Sequence, residues 1–400
     1  MLSRILYSVL TLVALLSLTN CVDPYQLETN TYEEAIVVEA AISNQLKRHV
    51  VKITKTYKLE EAAPTVETGA TVFIADDAGN TYDFIFENGV YVSSEPFQAM
   101  PERAYKLNIT TSEGKTYQSS AEQLTVSTPI ESVTANPETK NGQLGVQISV
   151  NSHDPSGNSK YYRYEFEETY KIVAPLWSEN VATVVLDDEP GMSVNDLIVI
   201  EPRTYEARTC FSSNTSTDLI ITKTVDLSED RVSNFPIRFI SVNDPIIQHR
   251  YSIKVLQYVQ SLAAYTFYET LKELASSGES ILAQNQPGFF YGNIRSTSND
   301  NEKVIGFFEV SSVSEQRIFF NFEDVFPNEQ PPPYHFECEV IDFNSTVFGP
   351  GDNQGATLRS QLLSGNALYF SDVFPVYSIV KPECGDCTTF SSNVVPDFWE

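Results

Sequence analysis

The chain has 400 residues, with 26 Lys plus Arg against 53 Asp plus Glu and a formal charge of −27. That acidity repels phosphate backbones and anionic headgroups, which argues against a nucleic-acid partner. Four hundred residues could form two or three domains, 42% hydrophobic residues are ample for a packed core, and 24 Phe and 21 Tyr against 3 Met lean towards half-buried pleated surfaces, hence β structure.

Arg4 precedes an apolar run from Ile5 to Leu18. About fourteen residues fall short of the roughly twenty that a spanning helix needs. The run fits a secretory signal peptide over residues 1–20. Leu18-Thr19-Asn20-Cys21 resembles a bacterial lipobox, with Asn20 in place of the usual small residue. Cys21 is therefore expected to open the mature chain, acylated on thiol and amine, which supplies the two apolar signals that stable anchoring requires. Residues 21–34 read as a polar tether.

Period-two alternation then places Ile36, Val38, Ala40 and Ile42 on one strand face, and Val51, Ile53 and Tyr57 on another. Asp77-Ala78-Gly79-Asn80, Asn88-Gly89 and Glu113-Gly114 mark turns between runs bearing Val72, Ile74, Tyr82, Phe84 and Phe86. This spacing predicts an immunoglobulin-like β-sandwich over residues 35–127. Residues 125–142, with Pro129 and Pro137, read as a linker or crossover. Residues 128–400 are expected to form a larger β-rich domain carrying one helix near 262–276. Ser261 is its N-cap, and Leu262, Tyr265, Tyr268, Leu271 and Leu274 share one face. The fold expected is mainly β.

No phosphate-binding loop, nucleophile elbow, zinc-protease motif or dinucleotide fingerprint occurs. His49, His153, His249 and His335 lack ligand-like spacing to one another, so no catalytic residue, cofactor or metal site is assigned. Asp76-Asp77 and Asn299-Asp300-Asn301-Glu302 lack the donor pattern of a calcium loop and read as solvated turns. Tyr161-Tyr162-Arg163-Tyr164 could stack on sugar rings, but cross-strand packing inside a sandwich accounts for such aromatics.

Apart from Cys21, four cysteines remain: Cys210, Cys338, Cys384 and Cys387. His335, Cys338, Cys384 and Cys387 would make a zinc set by residue type. However, residues three apart in a strand point to opposite faces, and an oxidising envelope favours disulfides. Three pairings are open, and the reading leans to Cys210–Cys338 with Cys384–Cys387.

Several stretches then resemble the Bacteroidota envelope lipoproteins grouped as a domain-of-unknown-function family, DUF4249. They are IVVEAAIS (Ile36–Ser43), GNTYDFIFENGVYVS (Gly79–Ser93), YKLNITTSEGKTYQS (Tyr105–Ser119), YSIKVLQYVQSLAAYTFYETL (Tyr251–Leu271), GNIRSTSNDNEKVIGFFEVSSV (Gly292–Val313) and CGDCTTFSSNVVPDFW (Cys384–Trp399). The resemblance implies an outer-membrane lipoprotein, often encoded beside TonB-dependent receptors, with no catalytic residues to carry over. Gly292-Asn293 are expected to serve a tight backbone turn. Pro396, Phe398 and Trp399 are expected to dock the C-terminus. The expected function is a non-enzymatic accessory of a TonB-dependent transport system. The alternative is a stand-alone carbohydrate- or peptide-binding surface lipoprotein.

Overall fold

The computed structural model describes residues 35–56, 63–185, 198–277, 291–349 and 352–399; the signal-like run, Cys21 and the tether lie outside them. Alternating apolar positions generate β1 (Ile36–Ser43), β2 (Val50–Lys55), β3 (Thr71–Asp76), β4 (Thr81–Glu87), β5 (Val90–Ser93), β6 (Ala104–Thr110), β7 (Thr116–Ser119) and β8 (Glu122–Gln123). Val38, Ile42, Ile53, Ile74 and Leu107 point to one side and, with Tyr91 and Tyr105, form a first core. Asn88 and Gly89 adopt φ of 50° and 88°, the left-handed pair that the two-residue turn between β4 and β5 requires.

The stretch read as a linker is instead a strand, β9 (Ile130–Lys140), which turns at Asn141-Gly142 into β10 (Gln143–His153). Pro137 does not prevent this, because β9 is an edge strand, where proline is tolerated. Next come β11 (Tyr161–Val173), β12 (Asn180–Val184), β13 (Ile198–Pro202), β14 (Thr209–Thr215), β15 (Ile220–Lys223), β16 (Arg231–Ser241) and β17 (Tyr251–Val259). The β16-β10-β9 sheet stacks on β11 and β17, so that Ile148, Val150, Tyr164, Ile253 and Val255 share a second core.

Helix α1 (Leu262–Ser277) follows, in the stretch expected, with the Ser261 hydroxyl accepting from Ala264 N at 3.1 Å. Its packed face carries Ala264 and Tyr265, whereas Leu262 is 60% exposed. Then β18 (Ile294–Ser296) pairs with β7, and the 17-residue β19 (Val304–Phe320) joins the two halves. Val304 to Ser311 run parallel to β1, and Ser312 to Phe320 run antiparallel to β17. Phe308 and Val310 thus enter the first core while Phe320 enters the second. The residues of 35–124 in the first core are completed by β18 and half of β19, so the change near residue 128 is a change of core within one 14-stranded sheet.

The chain ends with β20 (Val340–Asn344), the two-residue strands β21 (Phe348–Gly349) and β22 (Asp352–Asn353), a ten-residue helix α2 (Gln354–Leu363), β23 (Leu368–Val373) and β24 (Val376–Val380). Leu358, Tyr369, Tyr377 and Ile379 pack with Ile198 of β13 into a third, small core. Helix α2 was not legible in the sequence; Leu358 alone of its large apolar side chains is fully buried, so no apolar stripe announces it.

Candidate functional site

Residues of β11 alternate between two environments. Tyr162 and Tyr164 enter the second core, donating to Asp230 at 2.9 Å and to Gln257 at 3.0 Å, so core packing explains most of the aromatic cluster. Arg163 and Glu165 point to the opposite face, where α1 lies. Helix α1 packs over β11, β15 and β19 and leaves its flank overhanging the strands beyond β19. Between them is a cleft of about 550 Å³. Its floor is the outer face of β1, β2, β5 and β19, including Val37, Ala41, Val50, Val90, Ile305 and Phe307. Its roof is Phe267, Tyr268 and Leu271, with the rings of Phe267 and Phe307 5.6 Å apart.

A polar cluster closes one end. Arg163 is 7% exposed and bridges two carboxylates, Nη1 to Glu165 and Nη2 to Glu309 at 3.3 Å. Its guanidinium carbon lies 4.1 Å from the Tyr258 ring centroid and 5.3 Å from that of Tyr268. Burial works against its charge, yet Glu309, Tyr268 and Glu165 outweigh that and hold its pKa above the ordinary arginine value. Gln260 donates to Glu309 at 3.1 Å, and Tyr258 donates to Glu165 at 2.9 Å. Burial and then the neighbouring carboxylates raise the pKa of both Tyr258 and Tyr268, so both stay protonated hydroxyls near neutral pH. Elsewhere in the cleft Lys52 pairs with Glu39 at 3.0 Å. The cleft offers apolar contact with charge at defined places and, among its lining residues, no nucleophile beside a base.

A second hollow, about 440 Å³, lies further along the same face. It is lined by Glu167, Thr169, Ser213, Asn214, Thr215, Arg317 and Phe398. It is hydroxyl-rich, and the Arg317 guanidinium sits 3.6 Å from the Phe398 ring centroid.

All four described cysteines are oxidised, but the pairing differs from the one favoured by the sequence: Cys210 joins Cys387, and Cys338 joins Cys384. Cys384 and Cys387 sit on successive short turns and face different neighbours, β14 for Cys387 and the 338 segment for Cys384. The zinc set loses its thiolates to these bonds. His335 instead stacks near Tyr170 at 5.8 Å, and among the described residues no group of three His, Cys, Asp or Glu is placed to hold a metal ion. Asp76 accepts from the backbone N of Ala78 and Asn80, and Asn299 accepts from Asn301 N, so both acidic stretches are turns. Gly292 and Asn293 form a seam rather than a tight turn. A Cβ at Gly292 would fall 1.6 Å from the Gly306 carbonyl oxygen. Trp399 packs edge-on against Phe211 and Phe319 at 4.9 and 5.7 Å, docking the C-terminus.

Arg163 lies in the aromatic stretch singled out above, but as a neighbour of tyrosines rather than as an ion-pair centre, whereas Glu165, Glu309 and Phe267 carry no signal of a site in the sequence. The alternation in YYRYEFEE places Arg163 and Glu165 on one face, but Glu309 lies 146 residues away from Arg163.

Fold and site together define a mainly β protein with a helix-roofed cleft. Residues 22–317 match the family described as a domain of unknown function (DUF4249), and the chain belongs to that family. No curated protein matches it in sequence. Among solved structures, trypsin-activated alpha-2-macroglobulin from Escherichia coli is similar at 8% identity over 58% of this chain, with a TM-score of 0.18. The similarity spans about 15% of that protein's length, and at this TM-score it carries no argument about fold or function.

Proposed function

We propose that this protein is an outer-membrane lipoprotein, anchored through Cys21, that binds rather than catalyses and serves as accessory partner of a TonB-dependent transport system. The cleft under α1 is its binding surface. The observation that carries this reading is the partly exposed apolar roof, Phe267 and Leu271, held over an apolar sheet face and left open by the described residues. A partly open pocket of this size and lining suits a ligand or a partner segment. The lipobox-like start supports the anchor. No helix among the described residues is long and apolar enough to cross a membrane, which says nothing about a β-barrel.

A second reading, a stand-alone carbohydrate- or peptide-binding lipoprotein, draws on the hydroxyl-rich hollow beside Phe398. One experiment separates them. The tagged protein is recovered from membranes in mild detergent beside a Cys21→Ser variant, and co-purifying proteins are identified by mass spectrometry. The accessory reading requires a barrel protein with the parent and release of the variant from the membrane fraction. A parent that recovers no barrel, while the purified chain retains glycans or peptides on an array, would replace it with the second reading.

A further inference from the structure

The cleft is elongated and lined mostly by apolar side chains, with the Lys52–Glu39 pair on its floor. Its lining runs across the sheet from Val90 on β5 to Arg163 and Glu165 on β11, with β2, β1, β19 and β17 between. Five strand spacings make roughly 24 Å, so the cleft is long across the sheet. An extended chain matches that length, with apolar contact from Val37, Ala41, Ile305 and Phe307 below and from Phe267 and Leu271 above.

Charge decides which end group such a chain can carry. Arg163 stands between two carboxylates, so the cluster at the end of the cleft holds one more negative than positive side chain. The guanidinium is the hidden partner, with 9% of its side chain exposed, and Glu309 is hidden with it at 2%. Glu165 is the accessible one, with 44% exposed. An anionic head would meet that carboxylate before it could reach Arg163. A cationic head would supply the missing positive charge at that accessible carboxylate.

We infer that the cleft binds an extended apolar chain headed by an ammonium group, the chain lying between Phe267, Leu271 and the floor of β1 and β2 and the ammonium resting on Glu165. This rests on the cleft being the binding surface proposed above, and it adds the chemical class of the ligand. Ala41, on the floor and paired in register with Glu309, is the position from which a larger side chain would fill the channel next to its charged end.

The test uses the intact chain in lipid nanodiscs and three probes of equal length: octylamine, octanol and octanoate. Isothermal titration is run against empty nanodiscs as blank. Octylamine should bind roughly tenfold more tightly than octanol, and octanoate most weakly. Glu165→Gln should bring octylamine down to the octanol affinity, and Ala41→Phe should remove binding of all three. If Glu165→Gln loses its fold, salt serves instead: the advantage of the amine over octanol should shrink as ionic strength rises. Octanoate binding as well as octylamine, or an amine no tighter than octanol, would overturn the charge assignment while leaving the cleft as a binding surface. Affinities unchanged by Ala41→Phe, or no binding by any probe, would overturn both.

Discussion

The side-chain amide of Asn293 hydrogen-bonds both backbone groups of Phe308, its Oδ1 accepting from N at 2.7 Å and its Nδ2 donating to O at 2.9 Å. A side chain here does what a strand partner would do, and it closes the folded-over sheet where β18 returns to β19. Nδ2 also donates to Glu122 at 2.8 Å, so both amide hydrogens are used. Asn293→Leu keeps the approximate volume and removes three hydrogen bonds, leaving two backbone groups unpaired. The expected loss is about 2–4 kcal/mol in urea unfolding.

The same seam fixes Gly306. A Cβ there would sit 2.2 Å from the Val38 carbonyl oxygen, at a φ of +152°. Since β19 and β1 pair at this point, the neighbour cannot give way without breaking the ladder. Gly306→Ala is expected to cost more than Asn293→Leu, read as a larger fall in thermal midpoint, whereas Gly365→Ala, with open space around its Cβ, should cost far less.

His49 predicts a pH dependence. It is 2% exposed and its Nε2 lies 2.9 Å from the Phe97 carbonyl oxygen. Burial, assisted by the charge of Lys47, lowers its pKa to about 4 despite that hydrogen bond. The unfolded chain binds the proton near pH 6.5, so the stabilisation is complete above that value and is lost as pH falls towards 4. The difference amounts to about 3 kcal/mol. Urea titrations at pH 7, 5.5 and 4 should show His49→Gln starting less stable but losing less on acidification than the parent.

Asp386 should behave as a buried hub. It is 5% exposed and accepts from Arg203 Nη1 at 3.0 Å and from the Tyr205 hydroxyl at 2.9 Å. The Arg203 side chain is only 2% exposed. Asp386→Ala would strand that guanidinium, at an expected cost of about 3–5 kcal/mol by chemical denaturation.

Non-reducing peptide mapping should find Cys210 linked to Cys387 and Cys338 linked to Cys384. The first bond spans 177 residues and the second 46. Chain entropy then gives about 5 kcal/mol for the longer loop against about 4 for the shorter. Cys210→Ser should therefore lower the unfolding midpoint more than Cys338→Ser does.

What the sequence by itself determined was local. Alternation placed Val38, Ile53 and Ile74 on one face, Asn88-Gly89 named its hairpin, and Ser261 opened its helix, because each depends on residues a few positions apart. Residues 125–142 read as a linker because of Pro129 and Pro137, and the tolerance of Pro137 within a strand depends on β9 lying at an edge. Only the tertiary structure decided the rest. That Cys384 and Cys387 each bond elsewhere depends on where β14 and the 338 segment lie. That Arg163 is buried between Glu165 and Glu309 depends on β19 coming alongside β1 and β17. Pairings over such separations are fixed by packing of whole faces, which leaves no periodic trace in the residues that meet.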